Sequence, residues 1–215
     1  LPVRQLQDRT SDQIFARYRD AKPRVYETDQ VQSARIRRAR QTLLAALIGL
    51  EKQDPDQVTH KRYRIIELGC GLAEISGYYQ KGHNVNGYDA SPHSVKAAQK
   101  KYPDGDFMWT DCQTLRAERC GVLVLCEFLE HIHDPVDLCK RWLPLAKFCV
   151  MSSPFEGDIN KRTGELSSLS SEHVWSFDDL DFRRFLSIGG HELIGEDTFQ
   201  MGGYRIRIQL SHLKK

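Results

Sequence analysis

The sequence lacks any long apolar run. Its best, Leu43 to Leu50, falls well short of the roughly 18 residues that a membrane-spanning helix requires, so no helical span is expected. That run follows the arginine-rich stretch Arg35 to Arg40. The order imitates a signal peptide, but it lies too deep in the chain and lacks a following small-residue cleavage site. An excess of one charge is missing too: 31 Lys and Arg face 29 Asp and Glu, a net charge of +2. Neutralising phosphates takes a denser basic field, so nucleic acid is a disfavoured partner class without being excluded. The six cysteines, at 70, 112, 120, 126, 139 and 149, form no C-x-x-C pair, which speaks against a thiolate zinc site. Most sit in apolar surroundings such as Val124-Leu125-Cys126, where buried thiols are expected. The missing disulfide framework fits a reducing cytoplasm. There is no repeat and no low-complexity segment.

What remains is a chain of 215 residues, 40% hydrophobic and 28% charged, enough for one α/β core. Strand-like runs are expected at Arg64–Leu68, His83–Tyr88, Asp106–Trp109, Gly121–Cys126, Phe148–Ser152, His191–Phe199 and Tyr204–Leu210. Between them, helices are expected at Ala73–Gln80, Ser91–Lys101, Val136–Leu143 and Phe177–Ile188, with Ser91 as a cap and Pro92 in the first turn. Alternation of this kind predicts a Rossmann-like, seven-stranded, mainly parallel sheet with helices on both faces. The last two strands, joined through Gly202-Gly203, predict an antiparallel C-terminal hairpin at the sheet edge.

Residues 1–60 read as a helical extension or cap, and 61–215 as the main domain. Ile36, Ala39, Leu43, Ala46, Leu47 and Leu50 share one helical face, with Arg35, Arg37, Arg38 and Arg40 over much of the rest. The plainer reading is a packed helix with a solvated basic face; the functional one is a cap or an anion-facing surface. Residues 1–30 carry Phe15, Tyr18 and Tyr26 among charges, and order on ligand binding is one expectation for them. The stretch 152–171, which includes Lys161 and Arg162, reads as a long lid or substrate loop.

The chemistry concentrates at Arg64-Ile-Ile-Glu67-Leu-Gly69-Cys70-Gly71, with Asp89 after the next strand. Glycines at the end of a first parallel strand allow a sharp turn and close approach to a ligand, and a following helix would aim its positive end there. A carboxylate at Asp89 suits a ribose diol. A dinucleotide fingerprint wants a third glycine where this chain has Glu74, and a carboxylate there repels a pyrophosphate. Glu67 suits a cationic group instead.

Glu67-Leu-Gly-Cys-Gly, Tyr88-Asp89-Ala90-Ser, Trp109-Thr-Asp111-Cys112 and Cys126-Glu127-Phe-Leu-Glu130-His131-Ile-His-Asp134-Pro resemble, in order and spacing, the motifs of class I S-adenosylmethionine (SAM)-dependent methyltransferases. The likeness spans about 62 to 210. It implies a cofactor-binding set of Glu67, Gly69, Cys70, Gly71, Asp89, Ala90, Asp111, Cys112, Cys126 and Glu127. In that set Gly69 and Gly71 lie against the methionine part, Asp89 takes the ribose and Asp111 the adenine amino group. The Cys112 backbone N–H meets the ring, and Cys126 and Glu127 line the floor near the methyl group. Ala73 departs from a third glycine that is frequent in the family.

At the reactive end, Glu130 and His131 are the catalytic candidates. In one reading His131 is a general base or substrate partner. In the other, Glu127, Glu130, His131 and His173 hold Mg2+ or Mn2+, which would lower the pKa of a bound hydroxyl. The E-x-x-E-H grouping resembles ubiquinone-biosynthesis O-methyltransferases and small-RNA 3′-terminal 2′-O-methyltransferases, which use a metal, and also metal-free relatives. Nothing resembles the N-P-P-Y signature of amino-group methyltransferases, so a hydroxyl of a small molecule or glycan is the expected acceptor. The alternatives are a metal-dependent RNA 2′-O-methyltransferase and, from another class, a non-catalytic scaffold with the same fold.

Overall fold

The computed structural model describes residues 4–5, 9–19, 30–53, 62–155, 173–201 and 204–214. The Gly202-Gly203 connection and residues 156–172, with Lys161 and Arg162, lie outside the described residues, as does Tyr26. Two short strands, β1 (Arg4–Gln5) and β7 (Trp175–Ser176), pair antiparallel. The main sheet holds β2 (Arg64–Leu68), β3 (Asn84–Asp89), β4 (Asp106–Trp109), β5 (Cys120–Cys126), β6 (Ala146–Phe155), β8 (His191–Met201) and β9 (Tyr204–Leu213). Its order is β4-β3-β2-β5-β6-β9-β8, with seven strands as expected. In the main sheet β9 alone runs against the direction of the other strands, and it lies inside the sheet while β8 forms the edge. The strand order reverses between β2 and β5, the place where open α/β sheets leave a cleft beyond their carboxyl ends.

The central strands are covered on both faces, which explains their unbroken apolar runs. On one side, α2 (Gln30–Gln53) and α3 (Pro92–Lys101) pack into a core with Ile65, Val122, Val124 and Val150. On the other, α4 (Pro135–Trp142) and α5 (Asp179–Ile188) pack Leu138, Trp142, Phe182 and Phe185 against Ile66, Leu68, Leu123 and Leu125. Burial of one such side chain contributes about 1.5–3 kcal/mol. The α3 start is capped as expected: Ser91 Oγ accepts from Ser94 N at 3.3 Å and Pro92 opens the helix. Phe177 stands outside α5, because Asp178 caps it by accepting from Leu180 N and Asp181 N.

The expected helix at Ala73–Gln80 does not form; turns lead into a single 3-10 turn at Gly77–Tyr79. Ala73 has φ 54, in the left-handed region, and this breaks the helical path. Glu67 Oε2 accepts from Ser76 N at 3.2 Å and from Ser76 Oγ at 2.5 Å, fastening the turn to β2 instead. No helix dipole therefore points from this segment at the glycine turn.

The apolar face of α2 is buried as its spacing indicates, from Ile36 to Leu50. Its arginines, however, are mostly engaged within the chain. Arg38 pairs with Asp197 and lies 4.8 Å over the Phe199 ring. Arg40 Nε donates to the Glu74 carbonyl at 2.6 Å and its guanidinium covers Tyr78. Arg37 stays exposed. Among the described residues no helix is long and apolar enough to cross a membrane.

Candidate active site

A cavity of about 290 Å³ opens at the carboxyl ends of β2, β3 and β5. Every cofactor candidate lines it: Glu67, Gly69, Cys70, Gly71, Asp89, Ala90, Asp111, Cys112, Cys126 and Glu127. Gly69 (φ 71) and Gly71 (φ 51) adopt conformations that disfavour any side chain. At Gly69 a Cβ would stand 2.5 Å from the Phe128 ring, so glycine is required there on two counts. Asp89 holds the turn together: Oδ2 accepts from Gly71 N at 2.7 Å and Oδ1 from Ser91 N at 2.8 Å. Burial raises its pKa, and those two N–H donors oppose the rise. A carboxylate oxygen can accept twice, so one acceptor position per oxygen is left for a ligand.

Asp111 Oδ1 accepts from Gln113 N at 2.9 Å, which fixes its carboxylate toward the cavity wall. The Cys112 thiol is buried and donates to the Tyr88 carbonyl at 3.4 Å, while burial pushes its pKa far above the usual thiol value. All six cysteines are free and buried. Glu67 is buried and its pKa is pushed up to about 7, chiefly by desolvation, with the Ser76 hydrogen bonds opposing. Its Oε2 serves the 73–77 turn while the residue lines the cavity.

The reactive end is built where β5 hands over to a 3-10 turn at Leu129–His131. Glu127 has φ 52, a strained conformation for a residue with a side chain. Its N–H donates to the Ser152 carbonyl at 2.8 Å and its Oε1 accepts from Ser152 Oγ at 2.9 Å. His173 is drawn in because Val174 N donates to the Glu130 carbonyl and Trp175 Nε1 to the Ile132 carbonyl, each at 2.7 Å. Glu130, His131 and His173 each offer a ligand atom, and these atoms lie within 4.8 Å of one another. Glu127 is not part of that group; its Oε2 lies 3.8 Å from Arg35 Nη1.

Glu130 is only 1% exposed, and neither carboxylate oxygen has a hydrogen-bond partner among the described residues. Desolvation, followed by the neighbouring Glu127 carboxylate, raises its pKa to about 8, and His173 opposes the rise. A folded-state value above the unfolded one means that the folded protein keeps a proton which the unfolded chain has released. The stabilisation is complete below pH 4.5 and is lost as pH rises through about 8. The neutral isostere Glu130→Gln is expected to remove this loss. In thermal unfolding with EDTA present, its Tm should gain on the parent by about 2–8 °C between pH 5 and 9, as one or two kcal/mol in a chain of this size would give. Parallel pH profiles would contradict the assignment.

The N-terminal segment lines the cavity. Thr10 and Gln13 form a reciprocal capping box, with Thr10 N donating to Gln13 Oε1 and Gln13 N to Thr10 Oγ1. It starts α1 (Ser11–Arg19), which sends Ile14, Phe15, Arg17 and Tyr18 into the cavity lining. Ser11 Oγ donates to Asp111 Oδ2 at 3.2 Å, and the Phe15 and Trp109 rings stack at 6.2 Å. Tyr18 Oη lies 2.7 Å from His131 Nδ1. From α2, Arg35 and Ile36 complete the wall. These residues escape a motif search, but the T-x-x-Q box ahead of Ile14, Phe15 and Tyr18 at helical spacing was a local signal for α1.

Residues 66–147 match the family model described as a methyltransferase domain. No curated protein matches the chain. Among solved structures, magnesium protoporphyrin IX methyltransferase (ChlM) from Synechocystis PCC 6803 with bound SAM is 20% identical over 93% of this chain and 91% of that one, at a TM-score of 0.60. The [4+2]-cyclase SpnF is 12% identical over 98% and 99%, at 0.67. A putative methyltransferase in complex with the Haloferax volcanii Trm112 activator is 12% identical over 79% and 96%, at 0.58. At these identities the likenesses establish the Rossmann-like methyltransferase fold, and residues 66–147 are similar to a methyltransferase domain.

Proposed function

We propose that the enzyme moves the methyl group of SAM to a hydroxyl of a small molecule or glycan, with His131 as the group that takes the hydroxyl proton. One observation carries this reading: His131 lines the cofactor cavity and its Nδ1 already meets a hydroxyl, that of Tyr18, at 2.7 Å. An acceptor hydroxyl presented in the same way would be polarised for attack on the methyl carbon. Accepting at Nδ1 puts the ring proton on Nε2, the side that faces Glu130 Oε1 at 4.0 Å. Glu130 then positions the imidazole. Asp89 would hold the ribose and Asp111 the adenine, so that the sulfonium reaches the Cys126–Glu127 end. SAM supplies the electrophile, and the chain's task is to align the two partners and exclude water. The small cavity under α1 favours an acceptor that enters end-on over a long polymer.

A second reading is favoured by the two unpartnered oxygens of Glu130 beside His131 and His173. Oxygen and imidazole ligands suit Mg2+ or Mn2+, and their spread of up to 4.8 Å asks for a slight contraction around bonds of about 2.1 Å. An ion there would polarise the acceptor hydroxyl in place of the base. A radiolabelled-methyl transfer assay across polyhydroxylated small molecules, sugars and short RNAs, run with EDTA, Mg2+ or Mn2+, tests both. Transfer to a hydroxyl that persists in EDTA is expected. Strict metal dependence would favour the second reading, transfer only to amines would overturn both, and SAM binding without any transfer would favour a scaffold.

A further inference from the structure

The family motifs begin at β2, yet one charged group of the cavity comes from far upstream. Arg35 on α2 lines the same cavity as Gly69, Gly71 and Glu127, and its side chain is only 12% exposed. Its Nη1 lies 3.8 Å from Glu127 Oε2, and its charge reaches the Glu67 carboxyl and the Cys126 thiol. The guanidinium therefore sits over the carboxyl ends of β2 and β5, beside the glycine turn. The other arginine of the described lining, Arg17, is exposed on α1.

That position answers an electrostatic difficulty. SAM is held at this end by its amino-acid group, which carries an ammonium and a carboxylate. Glu67 and Glu127 both lie here. The ammonium is welcome beside Glu127, but a ligand carboxylate brought into this poorly solvated wall next to the Glu127 carboxylate would be repelled without a cation. A guanidinium is suited to a carboxylate, because its planar fork can give two parallel N–H bonds and stays charged when buried.

We propose that Arg35 receives the α-carboxylate of SAM, while Glu127 faces its ammonium, so that α2 completes the cofactor site. The claim rests on the cavity being the SAM site. It makes the N-terminal helices part of the binding machinery, outside the span of the matched domain. It also gives Glu127 a role as the counter-charge that holds Arg35 in place.

The test compares S-adenosylhomocysteine (SAH) with its decarboxylated analogue S-adenosyl-3-thiopropylamine, which keeps the adenosine, the thioether and the amine. Isothermal titration is run on the unmodified protein, on Arg35→Met, which retains an apolar stem, and on Arg35→Lys. Loss of one charge-assisted contact to the carboxylate is worth about 10- to 100-fold in affinity. SAH binding to Arg35→Met is expected to fall by about that factor, while the analogue binds both proteins within about twofold. Arg35→Lys should recover part of the SAH affinity. If both ligands weaken together in Arg35→Met, Arg35 only supports the wall and the proposal fails. It fails equally if SAH binding is unchanged. If neither ligand binds the unmodified protein, the cofactor site itself is misplaced and the proposal falls with it.

Discussion

Replacing Asp89 by alanine is expected to weaken SAH binding by about 100-fold or more while the protein stays folded. The carboxylate stands at the end of β3 with each oxygen committed to one backbone donor, Gly71 N or Ser91 N. Each oxygen has capacity for one further donor, which matches the two hydroxyls of a ribose. Two charge-assisted hydrogen bonds at about 1.5–3 kcal/mol each correspond to about 100- to 10,000-fold in affinity. Removing the carboxylate also releases the Gly71 N–H, so the turn against the methionine part loosens at the same time. Asp89→Asn separates the two effects: it keeps the shape but turns an amide NH2 toward donors, and it should bind nearly as poorly. Titration calorimetry gives the affinity, and thermal unfolding without ligand shows that the fold survives. SAH binding within about threefold of the parent would remove Asp89 from the site.

His131→Ala is expected to act on the other quantity. General-base assistance is worth about 100- to 10,000-fold in rate, so turnover should fall by that order while SAH affinity changes little. His131 lies at the wall beyond Cys126 and Glu127, linked to Tyr18 on one nitrogen and facing Glu130 with the other. None of these contacts involves the glycine turn or Asp89. A variant with unchanged turnover would contradict both the base and the metal readings. A variant that loses SAH affinity as steeply as turnover would show His131 to be a wall residue only.

The sheet and the cofactor motifs were legible because their signals are local. Apolar runs covered on both faces mark β2 and β5, and glycines with positive φ must be glycine in any fold that turns so sharply. The segment after Gly71 reads as a helix because its composition allows one, yet turns form there. The deciding contact is the Glu67 carboxylate on Ser76, which is set by the tertiary fold. Spacing groups Glu127 with Glu130, but its carboxylate meets Arg35 and Ser152 and lies outside the Glu130, His131 and His173 cluster. Arg35 could be read either as solvated charge or as part of a cap, because helical periodicity cannot show what lies above the helix. The packing of α1 beside His131 depends on contacts across more than a hundred residues, such as Tyr18 with His131.

Isothermal titration of the intact protein with SAH, beside NAD as a control, tests the central claim most directly. Saturable binding of SAH at one site per chain, with no heat from NAD, is the expected result. Absence of SAH binding, or competition by NAD for the same site, would contradict the placement of SAM in this cavity.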